Sequence, residues 1–231
     1  MRKVAIYVEG MTELVFVYHC IQVYYQSDWM AFHLDYVSVS PSDRIGLVNP
    51  YGDEAAENQF LLYNCSSDDS VIPTMKDRFQ THLQQGYDRI IGLRDVLGAR
   101  YLEVYKAGHQ QIEWDKVNAM INDLEATVSG IDPSGAMIIR FSIMEIEAWI
   151  LAMPDLLAEC FPGCPIDELL AVNPEVSYVH PFNKLSSLVP YTKNFSTVEG
   201  IFSRITKRHL DTLLQSGKCA SFARFYDCLF N

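Results

Sequence analysis

The stretch "RKVAIYVEGMTELVF", Arg2 to Phe16, decides the reading of this chain. A short run rich in Val and Ile, Lys3 to Val8, has the composition of a buried strand. The long apolar segment from Met11 to Gln26 has the length of a helix buried on more than one side. Between them stand Glu9 and Gly10. A strand-to-helix elbow needs neither. The glycine is expected to permit a tight turn there, and the carboxylate to be aimed at something cationic.

The same alternation continues downstream. "FHLDYVSV" and "NQFLLYNC" read as strands, and "PTMKDRFQTHLQQG" as an amphipathic helix with Pro73 near its start and Gly86 near its stop. "DRIIGLRD" is a further strand, "IEWDKVNAMINDLEATVSG" a helix closing on Gly130, "AMIIRFSIM" a last strand, and "EIEAWILAMPDLLAEC" the helix after it. Strands alternating with helices predict an α/β fold with a largely parallel sheet and helices on both faces. Beyond about residue 155 no strand pattern remains, and six prolines from Pro154 to Pro190 divide the chain into short helices. The expected organisation is an α/β domain over 1–154 and a helical C-terminal appendage over 155–231 packed on it.

The chain has 231 residues, 49% of them hydrophobic, enough for one sizeable core. A net charge of −11 argues against nucleic-acid binding by a broad basic surface. It leaves room for an enzyme whose metal-binding carboxylates are themselves negative. No leader and no long apolar span are read in the sequence, so a cytoplasmic protein without a membrane segment is expected. The six scattered cysteines then read as reduced thiols. Cys160, Cys164, Cys219 and Cys228 match no standard zinc spacing.

Three predicted parallel strands deliver acids at their carboxyl ends: Glu9, Asp95, and Glu145 with Glu147. That is the edge where open α/β sheets bind ligands. Each acid alone would serve to stabilise a helix N-terminus. Together they would repel one another unless a hard divalent cation, Mg²⁺ or Mn²⁺, lay among them. Arg94 and Arg100 flank this site and are candidates either for a substrate phosphate or for pairing with nearby acids. Lys193 either reaches the same edge from the appendage or is a solvated surface lysine, the cluster Lys207 to His209 reads as solvated surface, and Asn64, Cys65, Asp68 and Asp69, placed to line the same edge, receive no role.

At these residues the chain resembles a known family. "YVEGMTE" resembles the first motif of TOPRIM domains, and "RIIGLRDVLG" the second. "FSIMEIEAWILA", "PYTKNFS" and "CASFARF" resemble segments of small stand-alone bacterial TOPRIM-like proteins, distantly similar to the nuclease half of OLD-type proteins. The resemblance implies a TOPRIM-like sheet and Mg²⁺-dependent cleavage of phosphodiesters in DNA or RNA. Glu9 would then be the catalytic glutamate, Asp95 a catalytic metal ligand, and Glu147 or Glu145 a further ligand. It also implies a place in phage defence or mobile elements, beside an ATPase partner. One position departs from the pattern: Leu93 stands where the second motif carries its first aspartate. The alternative is a degenerate TOPRIM-like module that has kept its fold and binds a partner ATPase.

Overall fold

The computed structural model describes residues 1–25, 29–33, 46–97 and 111–231. Five strands form one sheet: β1 (Arg2–Val8), β2 (Trp29–His33), β3 (Asn58–Asn64), β4 (Arg89–Asp95) and β5 (Met137–Ser142). Their order is β2-β3-β1-β4-β5, and every neighbouring pair is parallel. The protein is therefore α/β with an all-parallel sheet. Of the expected strand "FHLDYVSV" only Phe32 and His33 fall in β2, and the rest lies outside the described residues.

The central strand explains why the sequence looks uniformly apolar. Val4 to Val8 are all fully buried, because both faces of the sheet are covered. Val4, Ile6 and Val8 enter one core and Ala5 and Tyr7 the other. Helix α1 (Met11–Tyr25) lies on the first face, where ten consecutive residues from Thr12 to Ile21 are buried. It has no solvent stripe because the C-terminal helices close over it. Helices α2 (Asp68–Gln84) and α3 (Trp114–Ile131) cover the second face.

Eight short helices follow β5: α4 (Glu147–Leu151), α5 (Pro154–Cys160), α6 (Ile166–Leu170), α7 (Pro174–Ser177), α8 (Pro181–Leu188), α9 (Phe195–Phe202), α10 (Lys207–Ser216) and α11 (Ala220–Phe230). Pro154, Pro174 and Pro181 open their helices, where a missing N–H costs nothing. The single helix expected after β5 is two. Pro154 disfavours helical geometry in the residue before it, so the chain breaks at Ala152–Met153. Helix α2 begins five residues before Pro73, after extended Ser67, with Asp68 and Asp69 in its first turn to favour the helix dipole. The proline marks its second turn, not its start.

These helices share one hydrophobic core with β1 and α1, running from Val4 to Phe230. The chain ends meet: Arg2 donates to the carbonyls of Leu229 (3.0 Å) and Phe230 (3.2 Å), and Arg89 to that of Cys228 (2.7 Å). Two guanidiniums at the amino ends of β1 and β4 thus cap the last turn of α11. All six cysteines are free. Among the described residues no helix is long and apolar enough to cross a membrane.

Gly92 shows why a glycine sits inside "RIIGLRD". A Cβ there would lie 2.6 Å from Ile139 Cδ1 and 2.6 Å from Met75 Sδ, so α2 packs directly on the β4 backbone. Gly92→Ala is expected to destabilise the protein by about 1–3 kcal/mol through overpacking. Urea denaturation measures this, and an unchanged midpoint would mean that α2 sits further from the sheet.

Candidate functional site

Strands β1 and β4 are adjacent, yet the helices after them lie on opposite faces, α1 on one and α3 on the other. A crevice opens where such connections diverge, at the carboxyl ends of the two strands. Glu9 leaves β1 and Asp95 ends β4 at this point. The Gly10 carbonyl accepts the Leu14 N–H at 3.1 Å, so α1 starts here. Gly10 does not adopt a positive φ, so this turn does not draw on the left-handed freedom of glycine. Its role is space: a Cβ at Gly10 would lie 3.1 Å from Glu13 Oε2.

Backbone and side-chain bonds tie the acids into one assembly. Glu9 Oε2 accepts the Asp95 N–H at 2.9 Å, joining the two strand ends. Asp95 Oδ1 accepts the Ser142 hydroxyl and, at 3.1 Å, the Ile146 N–H, so β5 and the loop after it hold that carboxylate. In the same loop Met144 adopts a left-handed φ of 65° while fully buried, and its carbonyl accepts the Leu97 N–H at 2.7 Å. That conformation costs a non-glycine residue on the order of 1 kcal/mol or more, and it persists because the surroundings hold it. Glu147, fully buried, opens α4. Its Oε1 accepts the Tyr191 hydroxyl at 2.9 Å and lies 3.3 Å from Lys193 Nζ. Glu145 Oε2 accepts the Phe182 N–H at 2.9 Å, and its Oε1 lies 3.5 Å from Lys193 Nζ.

Charge is in surplus here. Burial pushes the Glu13 carboxyl up to about 8, with Glu9 adding repulsion. Asp95 is raised well above the carboxylate range by burial, then by Glu13, Glu9 and Glu147. Burial also raises Glu9, against the bond from the Asp95 amide, and raises Glu147 despite Lys193. For Lys193 burial works against the charge, but Glu147, Asp95, Glu145 and Glu13 outweigh it and hold the ammonium protonated. Lys193 is the cation these acids share, and its side chain keeps 39% of its exposure.

The donor set suits a hard divalent ion: oxygens only, more negative charge than one lysine balances, and a buried Glu147 Oε2 with no hydrogen-bond partner. The side chains are not gathered round one point, and among the described residues no three His, Cys, Asp or Glu groups form a ready-made metal cluster. Glu9 and Asp95 each have one oxygen engaged in the bonds above.

The structure brings Glu9, Asp95, Glu145 and Glu147 to one edge. Arg94 is 3% exposed and donates to Asp68 Oδ2 at 3.0 Å, so it is committed to a buried pair on the α2 side rather than turned to solvent. Arg100 lies outside the described residues. Arg208 pairs with Glu159 at 2.7 Å and Lys207 with Asp211 at 3.1 Å, away from this edge. Reading residue types missed Glu13 and Tyr191 and left Lys193 between this edge and the solvated surface; the structure puts it at the edge. The sequence gives one hint of Glu13, as the one acid in the apolar segment Met11 to Gln26, though an acid is also expected in the first turn of a helix.

Leu93 is fully buried on the α1 side. Leu93→Asp is therefore expected to destabilise the fold by about 3–5 kcal/mol, the cost of an uncompensated buried charge. A urea midpoint unchanged by the substitution, together with tighter Mn²⁺ binding, would show that the carboxylate site extends to this position.

No protein-family model matches the chain. No curated protein matches it either. A solved structure, the C-terminal region of the Xanthomonas campestris pv. campestris OLD protein, is similar over 96% of this chain and 97% of that one, at 13% identity and a TM-score of 0.39. At that TM-score the likeness carries no weight for fold family or activity.

Proposed function

We propose that the chain is a TOPRIM-like hydrolase that cleaves phosphodiester bonds in nucleic acid with Mg²⁺ or Mn²⁺. The observation that carries this reading is that Glu9, Glu13, Asp95 and Glu147 all stand at the switch point between β1 and β4, with Lys193 as their common cation. The likeness of Tyr7–Glu13 and of the β4 stretch to TOPRIM motifs supports it from the sequence.

Glu9, Glu13, Asp95 and Glu147 would hold the metal, which supplies Lewis-acid polarisation of a phosphoryl oxygen and a lowered pKa for bound water. The remaining work belongs to the chain. The Ser142 and Ile146 donors fix the orientation of Asp95, and the Asp95 amide fixes that of Glu9. Tyr191 orients Glu147. Lys193 is partly exposed and firmly protonated, so it is placed to meet the negative charge that builds on phosphate in the transition state. Glu13, Asp95 and Glu147 are buried, while Glu9 and Lys193 stay open to solvent, so the site is approached from their side.

The test is cleavage of single- and double-stranded DNA and of RNA by purified protein with Mn²⁺, with Mg²⁺ and with EDTA. Metal-dependent cleavage supports the reading. Inertness on every substrate in both metals refutes it and favours the second reading, a module that has kept the fold and lost the chemistry. The specific observation on that side is Leu93, a core residue where the motif carries an acid.

A further inference from the structure

Lys193 sits in a turn whose backbone is anchored on both sides. Tyr191, buried, donates to Glu147 Oε1 at 2.9 Å. Asn194 caps α9 by accepting the Thr197 N–H at 2.9 Å, and donates to Thr192 Oγ1 at 2.6 Å. The side chain between these anchors is not pinned in the same way. It is a flexible methylene stem carrying a compact ammonium, and it is partly exposed.

That ammonium reaches two kinds of neighbour. One is carboxylate: Glu147 Oε1 at 3.3 Å and Glu145 Oε1 at 3.5 Å. The other is the Phe182 ring, whose centroid lies 5.3 Å from Nζ, within cation–π range. Phe182 is itself tied to the site, because its N–H donates to Glu145 Oε2 at 2.9 Å. Glu147 is fully buried and Phe182 half-buried, so the ammonium stands on the border between the acids and solvent.

An ammonium and a divalent ion make unequal demands on Glu147. The ammonium is served by one oxygen, which Tyr191 also uses. A hard divalent ion such as Mg²⁺ needs oxygens at about 2.0–2.1 Å and draws several of them together. Glu147 Oε2, buried with no hydrogen-bond partner, is an oxygen still free to answer that demand. Two cations on one buried carboxylate repel each other strongly. The doubly charged one holds the carboxylate better, and the singly charged one has an aromatic face and solvent beside it.

We propose that Lys193 is an internal counter-ion, held by Glu147 and Glu145, that a divalent metal displaces. Paired inward, the ammonium keeps the crevice acids from repelling one another. Once Glu147 ligates metal, the Lys193 side chain turns outward over Phe182, while Tyr191 and Asn194 hold the backbone in place. The released ammonium then faces the side from which a phosphate approaches. Metal loading thus frees the lysine that meets the phosphate, and metal binds before substrate. This inference rests on the reading of the crevice as a metal site, and it needs no cleavage.

The experiment acetylates the lysines of the wild-type protein in short pulses at mildly alkaline pH, in EDTA and across a Mn²⁺ titration. Mass spectrometry reads Lys193 against the exposed Lys76, and calorimetry measures Mn²⁺ binding in parallel. In EDTA Lys193 is expected to react at least about ten-fold more slowly than Lys76, because an amine held protonated by carboxylates does not acylate. Mn²⁺ should speed Lys193 severalfold, with the midpoint of the calorimetric titration, and leave Lys76 unchanged. Mn²⁺ that binds while Lys193 stays slow, or slows further, overturns this inference alone. A protein that binds no Mn²⁺ overturns it together with the metal reading. Lys193→Met supplies a second measurement. It is expected to bind Mn²⁺ at least as tightly as wild type, because no cation has to leave first. A loss of affinity of about ten-fold or more, in a variant that circular dichroism shows folded, would mean that ammonium and metal share the acids, and would also overturn the inference.

Discussion

Glu9→Gln is expected to lower metal-dependent cleavage by about 10³-fold or more while leaving the fold intact. The two halves of this expectation come from different atoms of one side chain. The amide oxygen of glutamine can still accept the Asp95 N–H that Glu9 Oε2 accepts at 2.9 Å, so the tie between β1 and β4 survives. What is lost is a negative charge in a buried set whose members raise one another's pKa values. The folded protein is therefore expected to melt no lower than wild type in EDTA, while metal affinity falls. Lys193→Met should act differently. It removes the cation that Glu147, Asp95, Glu145 and Glu13 share, so it should cost both stability and about 10²–10³-fold in rate. Cleavage that persists undiminished in carefully purified Glu9→Gln would identify a contaminating nuclease and end the catalytic assignment.

How far this site is legible in the sequence depends on the kind of signal each residue leaves. Glu9 and Asp95 stand where apolar strand sequence stops, and a parallel strand that is buried on both faces announces its end by its first charge. The strand-by-strand placement of acids at one edge follows from that alone. Glu13 leaves no such boundary. It lies in the first turn of α1, where an acid is also expected simply to favour the helix dipole, and only its burial under the C-terminal helices separates the two readings. Lys193 and Tyr191 are harder still. They come from the turn between α8 and α9, and nothing local says that this turn reaches Glu147. Gly10 is instructive in the other direction. A glycine after a strand suggests backbone freedom, yet here the requirement is the absence of a Cβ beside a carboxylate. Arg94 stood between a substrate phosphate and a nearby acid, and nothing local names the acid. Its partner Asp68 opens α2, whose start lies five residues before the proline that seemed to mark it.

The metal-free protein is expected to lose stability as pH rises from about 5 to 8, and added Mn²⁺ to reverse that trend. For Glu13 the carboxyl moves from 4.5, its ordinary value, to about 8 in the fold. The folded state thus binds the proton more tightly than the unfolded chain. Its contribution is fully present below about 4.5 and is lost as pH climbs through 8. Asp95, Glu9 and Glu147 shift in the same direction and add to the slope. Asp132 is shifted the opposite way, held down by bonds from Ser134 and Met137 that outweigh burial, so it weakens the fold only in more acid solution. A divalent ion competes with these protons. Its stabilisation should be small near pH 5 and large near pH 8. Glu13→Gln isolates the effect: in EDTA near pH 8 the variant should be more stable than wild type by on the order of 2 kcal/mol, and its pH slope should be flatter. Near pH 5, where wild-type Glu13 is itself protonated, the two should nearly coincide. Urea midpoints at the two pH values, with EDTA and with Mn²⁺, give all four quantities. A wild-type protein whose metal-free stability rises across this interval, or a Glu13→Gln variant with an unchanged slope, would show that these carboxylates are not buried against one another at the end of β1.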